Sequence, residues 1–264
     1  MTEPPQEPDK LFSIAGKRVL ITGGTAGIGL GVARHFVAAG ASVVISGRRI
    51  AGPWIAESIQ ARFVSMDVGD DESVERATGE AARMLGGLDV LILNAGAAKP
   101  VGPIEALDLD EFRDLFNVNV GGVVRGLRYG VPLLSTGGVV LVTSSVGGRQ
   151  ALAAPGMIGY SASKAAVDMI IASAGLELAA KGIRVSGVLP GFIRTQIAAG
   201  SGHDDSWLAH LTASGEAREP ADMGPVFQFL ASEAGAMLQS SVVAADDGCS
   251  AGLSASVLRH LTGA

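Results

Sequence analysis

Cysteine is nearly absent from these 264 residues. The lone Cys249 excludes an intrachain disulfide and any zinc site built on several thiolates, and it fits a reducing compartment such as the cytoplasm. A basic excess is also missing: the net charge is −6, which argues against a nucleic-acid surface, because phosphate binding draws on clustered Lys and Arg. No run reaches the ~18 uninterrupted apolar residues of a membrane-spanning helix, since Asp168 and Glu177 break the longest candidate. The N-terminal MTEPPQEPDK has neither a basic nor an apolar region and reads as a flexible leader over residues 1–10 rather than a secretory signal. His35, His210 and His260 show no ligand spacing, so no metal is expected. Neither a Pro- or Ser-rich linker nor an internal repeat follows the leader, which leaves one domain over residues 11–248 and a tail over 249–264.

What the chain does have is 48% hydrophobic residues and 37 glycines, enough for a sizeable core. Short β-branched apolar runs at 18–22, 42–46, 62–65, 88–93, 139–143, 183–188 and 241–245 alternate with amphipathic stretches. Continuously apolar strands separated by helices predict a parallel sheet covered on both faces, hence an α/β, Rossmann-like, doubly wound fold with seven strands. Residues 50–61 leave room for a short helix beginning near Pro53. A helical stretch over 109–134 contains Asn117, Asn119 and the pair Gly121–Gly122, poor helix-interior residues that predict a local distortion. Residues 196–217 form a long polar excursion that reads as a lid over a pocket.

Two motifs carry chemistry. After the first strand comes Gly23-Gly24-Thr25-Ala26-Gly27-Ile28-Gly29, a glycine turn entering a helix. Such a turn presents backbone N–H groups and a positive dipole end to a pyrophosphate, as in dinucleotide sites. Tyr160 and Lys164 lie one helical turn apart, so they share a face. A neighbouring ammonium favours the phenolate, so the tyrosine pKa is expected to fall toward the range needed for proton transfer.

The ordered set formed by the glycine turn, Asn94-Ala95-Gly96, Asn119, Ser145, and Tyr160 with Lys164 resembles the short-chain dehydrogenase/reductase family from about residue 11 to 248. That resemblance implies an NAD(P)-dependent oxidoreductase interconverting a ketone and a secondary alcohol. Tyr160 would be its acid/base, Ser145 a hydrogen-bond donor to the substrate oxygen, Lys164 the tuning cation and a ribose ligand, and Asn119 a holder of water. Gly23, Thr25, Gly27, Ile28 and Gly29 would cradle phosphates, and Asn94, Ala95 and Gly96 would lie against the cofactor. Asp67 and Val68 would hold the adenine, with a helix N-cap as the alternative for Asp67. Pro190, Gly191, Ile193 and Thr195 would meet the carboxamide and phosphates. The second strand ends in Gly47, where a carboxylate would select NAD, and Arg48 and Arg49 follow. NADP(H) is therefore favoured over NAD(H).

The substrate side should draw on Val146, Leu152, Met157, Ile158, Phe192 and Trp207, with Ile197 and Leu208 beside them. These residues point to a neutral, moderately hydrophobic small molecule. The loop over 147–159 is longer than is common in relatives. Apolar helix faces resemble the family's homotetramer interface, and a dimer would fit too. Other readings are a silent cofactor-binding regulator or scaffold, which the intact tetrad disfavours, and related epimerase or dehydratase chemistry on the same scaffold.

Overall fold

The computed structural model describes residues 8–195 and 209–252. Seven parallel strands form one sheet in the order β3-β2-β1-β4-β5-β6-β7: β1 Arg18–Thr22, β2 Ser42–Gly47, β3 Arg62–Ser65, β4 Leu88–Leu93, β5 Leu134–Thr143, β6 Arg184–Pro190 and β7 Val242–Ala245. Strand order reverses between β1 and β4, and the crevice at that switch point opens at the C-terminal strand edge, where doubly wound sheets bind ligands.

The apolar strands are continuous because both faces are covered. Val19, Ile21, Val43, Ile45, Val90, Ile92, Val139 and Leu141 point into one core. Their neighbours Leu20, Val44, Leu91, Leu93, Val140 and Val142 point into the other, as the period of two requires. The first core is closed by α2 Gly27–Ala38 and α8 Met223–Ala231, with Phe36 and Phe227 fully buried. Each such ring contributes roughly 1.5–3 kcal/mol by leaving water. The second core lies under α4 Asp71–Leu85, α6 Gly122–Gly130 and α7 Ile158–Ala179.

Among the described residues, three further helices bear on the expectations above. A single turn, α1 Pro8–Leu11, occupies the end of the segment expected as a leader, and Phe12 beyond it packs on Phe229 with ring centroids 6.1 Å apart. The short helix expected near Pro53 is α3 Gly52–Ser58. The long stretch from Leu109 is interrupted as expected: α5 Leu109–Phe116 runs into a π turn over Asn117–Gly121 before α6.

The start of β5 departs most from expectation, and the alternative left open at Asp67 is decided. β5 begins at Leu134 rather than 139, because Leu134 pairs with Leu88 and the register then shifts between Leu88 and Val90. The N-cap of α4 is Asp70, whose side chain accepts from Ser73 N at 2.7 Å. Asp67 caps no helix: its Oδ1 takes the Gly69 N–H at 2.9 Å, and its Oδ2 lies 3.6 Å from Arg48 Nη1.

Candidate active site and cofactor cleft

At the switch point Asn94 joins three strands. Its Nδ2 donates to Thr22 O at 3.1 Å, its backbone N donates to Thr22 Oγ1 at 3.0 Å, and its Oδ1 accepts from Thr143 Oγ1 at 3.2 Å. Ala95 N also donates to Thr22 Oγ1, at 3.1 Å. The ends of β1, β4 and β5 are thereby held in fixed register beneath the glycine turn.

That turn fits a dinucleotide on its own geometry. A Cβ on Gly29 would stand 2.4 Å from Gly23 O, and one on Gly23, at φ +67, would stand 2.9 Å from Ala95 Cα, so both positions require close backbone approach. The α2 N-terminus has no side-chain cap at Ala26, whereas α4 and α5 are capped by Asp70 and Asp108. Its first N–H groups, at Gly27, Ile28 and Gly29, are thus left for an anion. Thr195, beyond Pro190 and Gly191, comes within 3.4 Å of where a Gly27 Cβ would be, which brings the far loop to the same turn. Ile193 is buried and bridges to Arg218.

At the outer end of the cleft, a Cβ on Gly47 would lie 3.0 Å from Thr25 Oγ1, so a carboxylate-bearing side chain there would press on buried Thr25. Arg48 and Arg49 are exposed beside it. Val68 is half-buried against the second core.

The tetrad comes together above β5. Ser145 lies two residues past the end of β5, and its Oγ accepts from Gly147 N at 3.1 Å and hydrogen-bonds with Tyr160. Ser144, by contrast, points to the other side and donates to Asp168. The turn at Gly147 brings backbone against the Tyr160 ring: a Cβ there would be 2.9 Å from Cε1. Lys164 is 6% exposed, its Nζ donates to Thr143 O at 2.9 Å, and it sits 6.0 Å from the Tyr160 ring centroid.

Asn119 is 1% exposed. Its Oδ1 accepts from Ala97 N at 2.8 Å, while its Nδ2 donates to Ala97 O at 2.9 Å and to Ser163 Oγ at 3.0 Å. Asn117 faces away, donating to Gly69 O at 3.1 Å and accepting from Arg125 Nη2 at 2.8 Å. A Cβ on Gly96 would lie 3.2 Å from Asn119 Oδ1 and 3.5 Å from Lys164 Nζ, which locates all three at one point.

The electrostatics correct one expectation. The Tyr160 pKa is raised, not lowered: burial is the larger effect and outweighs the hydrogen bond with Ser145. Lys164 directs its Nζ to Thr143 O, and its own pKa falls to about 8, again chiefly through burial, with Asp168 acting in the opposite direction. At neutral pH the site therefore holds a protonated phenol beside an ammonium close to its own titration.

On the substrate side, Val146, Leu152 and Phe192 join one apolar cluster, together with Leu189, Leu211 and Cys249. Burial pushes the Cys249 thiol up to about 11, and its position in this wall had no signature in the sequence beyond the residue itself. Met157 and Ile158 stand apart from the cluster, and Ile158 is exposed at the start of α7. Ile197, Trp207 and Leu208, with His203, lie outside the described residues. No group of three or more His, Cys, Asp or Glu suited to a metal occurs among the described residues.

Comparison with known proteins agrees with this geometry. Residues 23–250 match the family model described as enoyl-(acyl carrier protein) reductase. The chain is 35% identical to glucose 1-dehydrogenase of Gluconobacter oxydans (strain 621H), over 89% of this chain and 92% of the relative. Among solved structures it resembles a short-chain type dehydrogenase/reductase from Mycobacterium marinum, with TM-score 0.85, 28% identity, and coverage of 92% of this chain and 99% of the other. It also resembles a blue fluorescent protein from a metagenomic library in complex with NADPH, with TM-score 0.83, 26% identity, and coverage of 90% and 99%. The chain belongs to the short-chain dehydrogenase/reductase family of oxidoreductases.

Proposed function

We propose that this protein is an NADP(H)-dependent ketone reductase, or alcohol dehydrogenase in reverse, with Tyr160 as the proton donor and acceptor. The observation that carries the reading is the convergence of Ser145 and Tyr160 at the end of β5, with buried Lys164 one turn below. A nicotinamide dinucleotide bound along the glycine turn supplies or accepts the hydride. Ser145 and Tyr160 offer two O–H donors to a single substrate oxygen and stabilise the charge that develops there. Burial raises the Tyr160 pKa in the ligand-free protein, so the phenol keeps its proton until charge developing on the substrate oxygen draws it off. Lys164 supplies the positive charge that favours the phenolate left behind. Every polar atom of the Asn119 side chain is committed to Ala97 and Ser163. Both amide hydrogens are used, so a water held by Asn119 would donate to the second lone pair of Oδ1 or to its backbone carbonyl in the π turn.

Arg48 and Arg49, together with the missing carboxylate at Gly47, favour a 2′-phosphate. The cluster around Val146, Leu152, Phe192 and Leu211 favours a neutral, moderately hydrophobic substrate. The protein acts in the cytoplasm as a homo-oligomer, supported by exposed Met169 and Leu176 on α7, at 67% and 74%; likeness to the family favours a tetramer, with a dimer as the alternative. Mass photometry at assay concentration tests that assembly. The function is tested with a panel of ketones, secondary alcohols and an enoyl thioester, each with NADPH, NADH and their oxidised forms. Ketone-dependent oxidation of NADPH supports the reading; turnover of the enoyl thioester alone, or no turnover with any cofactor, rejects it.

A further inference from the structure

The face of α7 that carries Tyr160 and Lys164 continues one turn further to Asp168. Its carboxylate is only 17% exposed. Buried Ser144 donates a hydrogen bond to one oxygen, and the other lies 3.7 Å from Arg149 Nη2. These partners come from two different parts of the site. Ser144 immediately precedes Ser145 at the end of β5, and Arg149 belongs to the loop that leads to Tyr160. Three elements are thus tied to one carboxylate a helical turn beyond the lysine.

Lys164 has reason to need it. Its ammonium is removed from water, and the groups facing it from the other elements are neutral: Thr143 O from β5, Asn119 from the π turn, and Gly96 after β4. On its own helix it faces Tyr160 and Asp168, and beyond Asp168 lies the Arg149 guanidinium. A buried cation without an opposing charge gives up its proton.

We propose that Asp168, oriented by Ser144 and shared with Arg149, is a positioning residue that keeps Lys164 an ammonium so that Lys164 can act on Tyr160. This rests on the reading of Tyr160 and Lys164 as the acid/base pair. Ser144 fixes the direction of the carboxylate, and Arg149 draws part of its charge toward the substrate loop.

Lys164 can be titrated directly in the ligand-free protein. With lysine labelled at 13Cε, the resonances belong to Lys10, Lys17, Lys99, Lys164 and Lys181, and Lys164→Arg assigns the one of interest. In the wild type its midpoint is expected near about 8. Asp168→Asn keeps an acceptor for Ser144 and should lower that midpoint by about one pH unit, while Asp168→Glu should restore at least half of the shift. The alkaline limb of kcat for ketone reduction should move by the same amount, so that the loss grows with pH to about tenfold on the alkaline side. An unchanged midpoint, or a loss equal at every pH, overturns the proposal.

If Asp168→Asn does not fold, Ser144→Ala frees the carboxylate and should shift the midpoint in the same direction by a smaller amount. No shift there is equally fatal. Tyr160→Phe separates the two ideas. Retained turnover in that variant rejects the acid/base reading whatever Lys164 does, whereas lost turnover with an immobile Lys164 midpoint rejects only the role of Asp168.

Discussion

The two ends of the sheet each carry a polar cluster, half-buried at one end and buried at the other, and they do opposite things with charge. At the N-terminal edge, Asp89 accepts from Arg18 N and Nε, both at 2.9 Å, and from Nη2 at 2.8 Å, while Arg18 also reaches Ser135 Oγ at 2.6 Å. Opposite charges meet there with their hydrogen bonds filled, and Asp89 is held down to about 2, chiefly by the Arg18 hydrogen bond. At the C-terminal edge, Lys164 is deeper, its direct partner is a neutral carbonyl, and its pKa moves toward neutrality. A fully partnered charge is driven away from the pH range of the cell and becomes a brace. A desolvated, partly partnered one is brought into that range and becomes a reagent.

The strongest way to break this contrast is Tyr160→Phe, which leaves the ring and removes the proton. Reductive kcat should fall by about 10³-fold, with melting temperature little changed, since the hydroxyl's hydrogen bond is with Ser145 alone among the partners identified. Steady-state kinetics beside thermal denaturation checks both parts.

Asp89→Asn tests the brace. The native carboxylate is depressed below its unfolded value, so its contribution is present above the unfolded pKa of 3.8 and is lost as pH falls toward about 2. The variant should lose about 2 kcal/mol of stability near neutral pH, and its deficit relative to wild type should close under acid conditions. Denaturant titrations at several pH values provide the measurement, and activity of the folded variant should be retained.

Arg48→Ala should weaken NADPH binding about tenfold while leaving NADH alone, as read by fluorescence titration of each cofactor. Because Arg48 lies 3.6 Å from Asp67, Asp67→Asn should tighten NADPH slightly by releasing the guanidinium.

The smallest effect is expected at Asp247. It occupies the left-handed region at φ +49 and accepts from Arg218 Nε at 2.8 Å. In Asp247→Gly, relief of backbone strain offsets the lost ion pair, and stability should change by no more than about 1 kcal/mol, as measured by denaturant titration.

Much of the fold could be read directly, because strands buried on both faces leave uninterrupted apolar runs such as Val19–Ile21 and Val90–Leu93, and nothing local contradicts them. The start of β5 was hidden since Ser135, Gly137 and Gly138 are turn formers; pairing with β4 and the Arg18 contact to Ser135 override them. The role of Asp67 stayed open because Asp67 and Asp70 both precede α4, and only the backbone decides which carboxylate reaches a helix N–H.

Within the site, the order of motifs brought Asn119, Ser145, Tyr160 and Lys164 to attention, and the structure gathers them. Spacing on a helix reveals which side chains are neighbours but not how deep they lie, so the direction of the Tyr160 shift was not readable. Asp168 and Cys249 were missed for a related reason: each meets the site through contacts with residues distant in the chain.

The π turn over Asn117–Gly121 has a geometric corollary. It spends one more residue per closed ring than the helices on either side, with Gly122 N donating back to Asn117 O. The faces of α5 and α6 are consequently rotated by about a hundred degrees from where one uninterrupted helix would put them. This lets α5 pack against α7, beside Tyr160, while α6 packs against α4 in the same helical layer. Removing a single residue between 117 and 121 would leave the tetrad intact in composition, yet turn one of these helices away from its partner.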